Sequence, residues 1–210
     1  MLKVKNLSIK YKNKTLFNNL SFNVNAGDIF AIVGKSGSGK TSLAKAIVQL
    51  IKYSGTIEFL NKDLSLLKDE EMRKLRKDIQ IVFQGSKSHM DSKMSIKEQF
   101  EEVLKAHELS FDYTPLLNKF GFTKADLNSY VDQFSSGQVQ RLCILRSLLL
   151  SPKLLILDEA FNAQDIINQV NIIKILHQVR EEMDITFILI SHDEELVSAI
   201  STHCLNLNTI

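Results

Sequence analysis

Residues 29–33 form an uninterrupted apolar run that leads directly into Gly34-Lys35-Ser36-Gly37-Ser38-Gly39-Lys40-Thr41. A run this short and apolar reads as a strand buried on both faces. Leu43, Ala46, Ile47, Leu50 and Ile51 follow it at helical spacing. Strand, glycine loop and helix, in that order, narrow the fold class to α/β with a mainly parallel sheet.

The loop fits G-x-x-x-x-G-K-[ST], and it lies where the chemistry of that pattern requires, between a buried strand and a helix N-terminus. Its glycines let successive backbone N–H groups turn inward around phosphate oxygens, aided by the positive end of the helix dipole. Lys40 would neutralise the β and γ phosphates of a nucleotide, and Thr41 would offer its hydroxyl to Mg²⁺.

The rest of the chain repeats the α/β theme. Residues 2–11 and 20–24 alternate like antiparallel strands, giving an antiparallel β subdomain at the N-terminus. A strand over 56–60, a charged helical stretch over 69–77 and a strand over 79–83 come next. Residues from about 86 to 150 show helical periodicity and few β-branched runs, and are expected to form a helical subdomain inserted into the core. Residues 154–157 and 185–190 read as buried strands. Between them, residues 166–183 read as an amphipathic helix with Ile166, Val170, Ile173 and Val179 on one face. One domain over 1–210 is expected, with its core in 1–85 and 151–210.

Composition narrows the function. Twenty-six basic and 24 acidic residues leave no field that would favour nucleic acid, so no nucleic-acid partner is expected. No apolar stretch approaches the roughly 20 residues of a membrane span. The N-terminus lacks a secretory leader, so a cytosolic setting is expected. Cys143 and Cys204 sit in no metal or disulfide pattern and are expected to be buried thiols.

Further polar residues fall at strand ends. Asp158 and Glu159 close the apolar run at 154–157, which suits Asp158 to hold Mg²⁺ through water and Glu159 to polarise a water attacking the γ-phosphate. His192 follows the strand at 185–190 through Ser191, at the sheet edge expected to carry the phosphate loop, and suits a γ-phosphate contact. Gln84, after the strand at 79–83, could reach Mg²⁺ or the attacking water. Ser135-Ser136-Gly137-Gln138 forms a second small-residue loop before a helix, able either to hold an anion or simply to cap that helix.

In this order, from Tyr11 to His192, these segments resemble the nucleotide-binding subunits of ABC transporters. The sequence is similar to that family's Walker A at residues 34–41, its Q-loop at Gln84 and its signature motif at residues 135–138. Its Walker B corresponds to residues 154–158 with catalytic Glu159, its D-loop to residues 163–165 and its switch histidine to His192. The resemblance implies ATP and Mg²⁺ as ligands, Tyr11 stacked on adenine, and a head-to-tail dimer in which one subunit's Walker A and the other's signature loop enclose each ATP. It also implies transmembrane permease subunits, an extracellular substrate-binding protein, and a peripheral place on the cytoplasmic face of the membrane.

Residues 79–84 with 88–96, and the upstream stretch 63–76, resemble the branch that imports oligopeptides, dipeptides and nickel or metal-chelate complexes. Departures from the pattern are Gly85 and Ser86 in place of Asp-Pro, Ala160 in place of Pro, and Asn162 and Gln164 in place of Ser and Leu. The sequence ends at Ile210 without the extension common in the oligopeptide branch, which weighs against a large peptide. Residues 85–95 are expected to line the groove that receives a permease helix. Ser136 stands where the family usually has glycine. A positive φ there would strain the signature loop and favour a different chain as partner, with two unequal ATP sites. The rivals are a non-transport ABC ATPase on DNA or ribosomes, which the absence of heptads and basic tracts disfavours, and a catalytically weak assembly subunit.

Overall fold

The computed structural model describes the backbone of residues 1–11, 14–160, 166–194, 197 and 200–209, and all of these side chains except 11, 14, 86, 87, 166–168 and 209. A four-stranded antiparallel sheet opens the chain. It is built from β1 (Leu2–Tyr11), β2 (Lys14–Val24), β4 (Ser54–Phe59) and β5 (Lys62–Asp63), in the order β2-β1-β4-β5. In β1 the buried positions step from Leu2 and Val4 to Leu7 and Ile9, a change of parity that would turn half the strand inside out. An irregularity between Val4 and Leu7, with Asn6 at φ +50°, absorbs the extra residue and keeps all four side chains in the core.

The second sheet is parallel throughout. It contains β3 (Ile29–Val33), β6 (Ile79–Val82), β7 (Leu154–Asp158), β8 (Thr186–Ser191) and β9 (His203–Asn206), in the order β6-β7-β8-β3-β9. Every residue of β3, β7 and β8 is buried, and alternate residues serve opposite faces. Leu155, Leu157, Phe187 and Leu189 join a core with the helices α3 (Ile96–Ala106), α4 (Thr114–Lys119) and α5 (Ser136–Leu148). Leu154, Ile156, Ile188 and Ile190 join a second core with α1 (Lys40–Ile47), α2 (Asp69–Leu75) and the antiparallel sheet. This is the two-sided burial that their continuous apolar runs anticipate. The result is a P-loop α/β fold carrying a separate antiparallel sheet, with α6 (Ile166–Met183) between β7 and β8.

Several local expectations need correction. α1 stops at Ile47 because Gln49 turns left-handed at φ +60°, with Gln49 N–H bonded to Ala46 O and Leu50 N–H to Lys45 O. That Schellman turn leaves Leu50 56% exposed rather than on the helix's apolar face. On α6, Ile172, Ile173, Leu176 and Val179 face the core while Val170 is 40% exposed. Cys143 is buried, but Cys204 lies exposed on β9, an edge strand whose residues form no apolar run. Among the described residues no helix is long and apolar enough to cross a membrane.

Candidate functional site

The parallel register brings three strand ends to one edge. Val33 pairs with Ser191, and Asp158 with Ile190, so Gly34, Glu159 and His192 leave the sheet side by side. In such sheets the crevice beyond the carboxyl ends of the strands is where ligands bind. β6 runs in the same direction and delivers Gln84 to that edge.

Between β3 and α1 the phosphate loop is held closely. Gly39 precedes α1 at φ +97°, and a Cβ on it would stand 2.7 Å from the Phe17 ring, so both torsion and space demand glycine. Lys40, the first residue of α1, is only 4% exposed. Its ammonium donates to the carbonyls of Gly34 at 2.6 Å and Lys35 at 3.1 Å and lies 3.9 Å from Glu159 Oε1. A buried cation is thereby supported beside the loop's backbone N–H groups.

A cleft of about 300 Å³ opens over this loop, lined by Ser36, Gly37, Gly39, Lys40, Thr41 and Ser42 together with Gln84, Glu159 and Leu16. Leu16 is an addition from β2. Only the packing of the antiparallel sheet brings it there, with the adjacent Phe17 against Gly39, so no local pattern in the sequence marks it. Gly34, Lys35, Ser38 and His192 do not line the cleft. Ser38 Oγ is buried without a hydrogen-bond partner, and His192 is exposed just beyond β8.

Asp158 is 1% exposed, and burial pushes its carboxyl above the ordinary range. A hydrogen bond from the Thr41 side chain opposes that rise, and the neighbouring Glu159 charge adds to it. Its Oδ1 has no hydrogen-bond partner. Asp158 does not itself line the cleft, but its buried, unsatisfied carboxylate oxygen lies beside the Thr41 hydroxyl, which shares the cleft with the Gln84 amide, and together these offer an all-oxygen donor set. It fits a hard cation such as Mg²⁺, which takes few protein ligands and completes its shell with water and phosphate. Glu159 adopts φ +51°, its N–H bonded to Ile190 O at 2.9 Å.

The second loop stands apart from this cleft. Ser135 Oγ accepts the Gln138 N–H at 3.3 Å and Gln138 Oε1 accepts the Ser135 N–H at 2.9 Å, a reciprocal cap on α5. Ser136 is the first residue of that helix, and its φ is not positive. The strain that argued for two unequal sites is therefore absent. Ser135 and Ser136 remain exposed, and Gly137 and Gln138 partly so. The Tyr11 side chain and residues 161–165, which include the expected D-loop, lie outside the described residues.

Beyond Gln84, adjoining hollows of about 280 and 380 Å³ lie between β6, α3 and α5. Phe83, His89, Cys143 and Arg146 line the first, and Gln80, Glu102, Val103 and Leu150 the second. Among the described side chains of the expected 85–95 stretch, only His89 contributes. Arg146 Nη2 donates to the His89 carbonyl at 2.7 Å, which pins that stretch to α5. Lys45 of α1 lies 5.8 Å over the Phe83 ring, linking the phosphate-loop helix to the groove.

The sequence pattern of the ABC transporter family matches residues 17–162. The oligopeptide transport ATP-binding protein OppF of Streptococcus mutans serotype c is 33% identical, over 96% of this chain and 70% of that protein. Among solved structures, cbiO1 from Clostridium perfringens, part of the ABC transporter complex cbiONQ, superposes with a TM-score of 0.86 at 27% identity. That match covers 98% of this chain and 83% of the other. The dimeric post-hydrolysis state of the ATP-binding cassette MJ0796, bound to ADP and Pi, gives 0.84 at 25% identity, with 98% and 94% covered.

Proposed function

The chain belongs to the ABC transporter family and is an ATPase of that family, and from this premise we propose that it powers import of a peptide. The cleft that gathers Lys40, Thr41, Gln84 and Glu159 carries the site assignment. The peptide cargo is supported by the name of the OppF relative. A nickel or metal-chelate cargo rests on the resemblance of residues 63–76, 79–84 and 88–96 to that branch.

In this reading the N–H groups of residues 34–41 and the Lys40 ammonium hold the β and γ phosphates of ATP. Glu159 orients the attacking water and accepts its hydrogen bond, while Gln84 and His192 contact that water or the γ-phosphate. Thr41, Gln84 and Asp158 would hold Mg²⁺, which when bound neutralises phosphate charge. Ser135, Ser136, Gly137 and Gln138 serve the partner's nucleotide, their exposure at the end of α5 leaving them free to meet a second nucleotide-binding subunit. The groove beside α3 and α5 takes a cytoplasmic segment of a permease, which places the chain peripherally at the membrane. An extracellular binding protein would deliver the cargo.

The test is titration of the purified chain with ATP and Mg²⁺, followed by phosphate release. Saturable binding that Lys40→Ala removes is expected. A chain that binds no nucleotide under these conditions would sink the reading.

A further inference from the structure

Strands β8, β3 and β9 lie side by side, with Val33 paired to Ser191 on one flank and to Asn206 on the other. Three segments therefore leave the sheet together: the phosphate loop from β3, the His192 segment from β8, and Leu207 with Asn208 from β9. The nucleotide reading gives the first two a role and the third none.

Asn208 uses both ends of its side-chain amide here. Its Oδ1 accepts the Lys35 backbone N–H at 2.9 Å, and its Nδ2 donates to Glu194 Oε1 at 3.1 Å. Asn206 Nδ2 reaches the same Glu194 oxygen at 3.5 Å, and Asn206 Oδ1 accepts the Asn208 N–H at 2.9 Å, which sets the turn. Leu207 between them is buried, its Cβ 3.3 Å from where a Cβ on Gly34 would lie.

The Lys35 peptide is a sensitive place to hold. The carbonyl that shares a peptide plane with the Lys35 N–H is Gly34 O, which accepts the Lys40 ammonium at 2.6 Å, and the next carbonyl, Lys35 O, accepts the Ser38 N–H and the same ammonium, both at 3.1 Å, so the turn of the loop and the aim of its lysine depend on how this peptide is held. Lys35 is exposed, and without Asn208 its N–H end would be held only by water. Glu194, the anchor for Asn208, lies two residues beyond His192.

We infer that Asn208 is a positioning residue for the nucleotide site, pinning the phosphate loop through Lys35 and tying it through Glu194 to the segment that carries His192. This rests on residues 34–41 being the ATP site. Tethering one loop to the other lowers the conformational entropy lost when phosphate orders both.

The experiment measures affinity of the purified chain for a fluorescent ATP analogue with Mg²⁺, alongside melting temperature without nucleotide. Asn208 and Glu194 are both exposed, so their variants keep the core intact. Asn208→Ala is expected to weaken binding about five- to tenfold, the worth of a net hydrogen bond, with melting lowered by no more than about 4 °C. Glu194→Ala should weaken it about two- to threefold. Glu194→Gln, which still offers an oxygen to Asn208 Nδ2, should restore wild-type affinity. The double variant should bind no worse than Asn208→Ala alone, because both changes break one chain of bonds.

Wild-type affinity in Asn208→Ala, beside lost binding in Lys40→Ala, would overturn the inference and leave the ATP site standing. So would a fall in melting temperature with affinity unchanged. Strict additivity in the double variant would overturn the tie to the His192 segment. Absence of binding by the wild type would remove the ATP reading and this inference with it.

Discussion

Glu159 turns left-handed at φ +51° directly after β7, and its carboxylate comes to 3.9 Å from the Lys40 ammonium. A non-glycine residue in that region stores on the order of 1 kcal/mol, which the buried strand and the bond to Ile190 O sustain. The strain bends the side chain back over the phosphate loop.

Glu159→Gln retains this backbone and shape but removes the charge. Nucleotide affinity should stay within about threefold of wild type, while phosphate release falls by about a hundredfold or more, the usual share of a general base. Light scattering should then find an ATP-dependent dimer. Wild-type turnover in this variant would remove Glu159 from the role.

Lys40→Ala deletes a buried ammonium whose hydrogen bonds to charged oxygens are worth about 1.5–3 kcal/mol each. Affinity for MgATP should drop by more than about a hundredfold. Calorimetry that finds it unchanged would move the site elsewhere.

The parts of this arrangement that could be read from sequence are those specified by short-range pattern. The runs at 29–33, 154–157 and 185–190 announce strands because both faces are buried, and the loop at 34–41 combines residue types at a fixed spacing. β9 was invisible because an edge strand with exposed His203 and Cys204 carries no apolar signal. Leu16 reaches the cleft, and Asp158 Oδ1 loses its partners, only through contacts between distant segments. The torsion of Ser136 depends on how α5 is capped, and family pattern alone left it open.

Ser136 and Ser135 therefore separate cleanly. Ser136→Gly relieves no strain, and turnover of the assembled transporter should stay within about twofold. Ser135→Ala removes the cap of α5 at a cost of about 1 kcal/mol, seen as a fall of a few degrees in melting temperature. A large gain of activity in Ser136→Gly would contradict the helical torsion.

The groove makes a positional prediction. Cysteines at Glu102 or Val103 should cross-link to cysteines in the permease's cytoplasmic loops, while one at Leu66, exposed outside the groove, should not. The reverse pattern would place docking elsewhere.

The two native thiols should differ in reactivity. Burial pushes Cys143 up to about 11, so at pH 8 its thiolate is scarce and shielded, whereas Cys204 is exposed. One thiol per chain should react rapidly with a disulfide reagent under native conditions, and a second only after denaturation. Peptide mapping that finds Cys143 labelled first would refute this.

The order of the parallel sheet also governs how the molecule comes into being. β3 is made early, yet both of its hydrogen-bonded neighbours, β8 and β9, come from the last quarter of the chain. A ribosome-bound chain arrested before residue 186 would carry the whole 34–41 loop with neither flank of its strand paired. Loop closures of this span make folding slow and leave strand edges open in the meantime. Nascent chains should thus acquire nucleotide binding late and abruptly, and it is during that interval that a holdase chaperone would find apolar strand edges to protect.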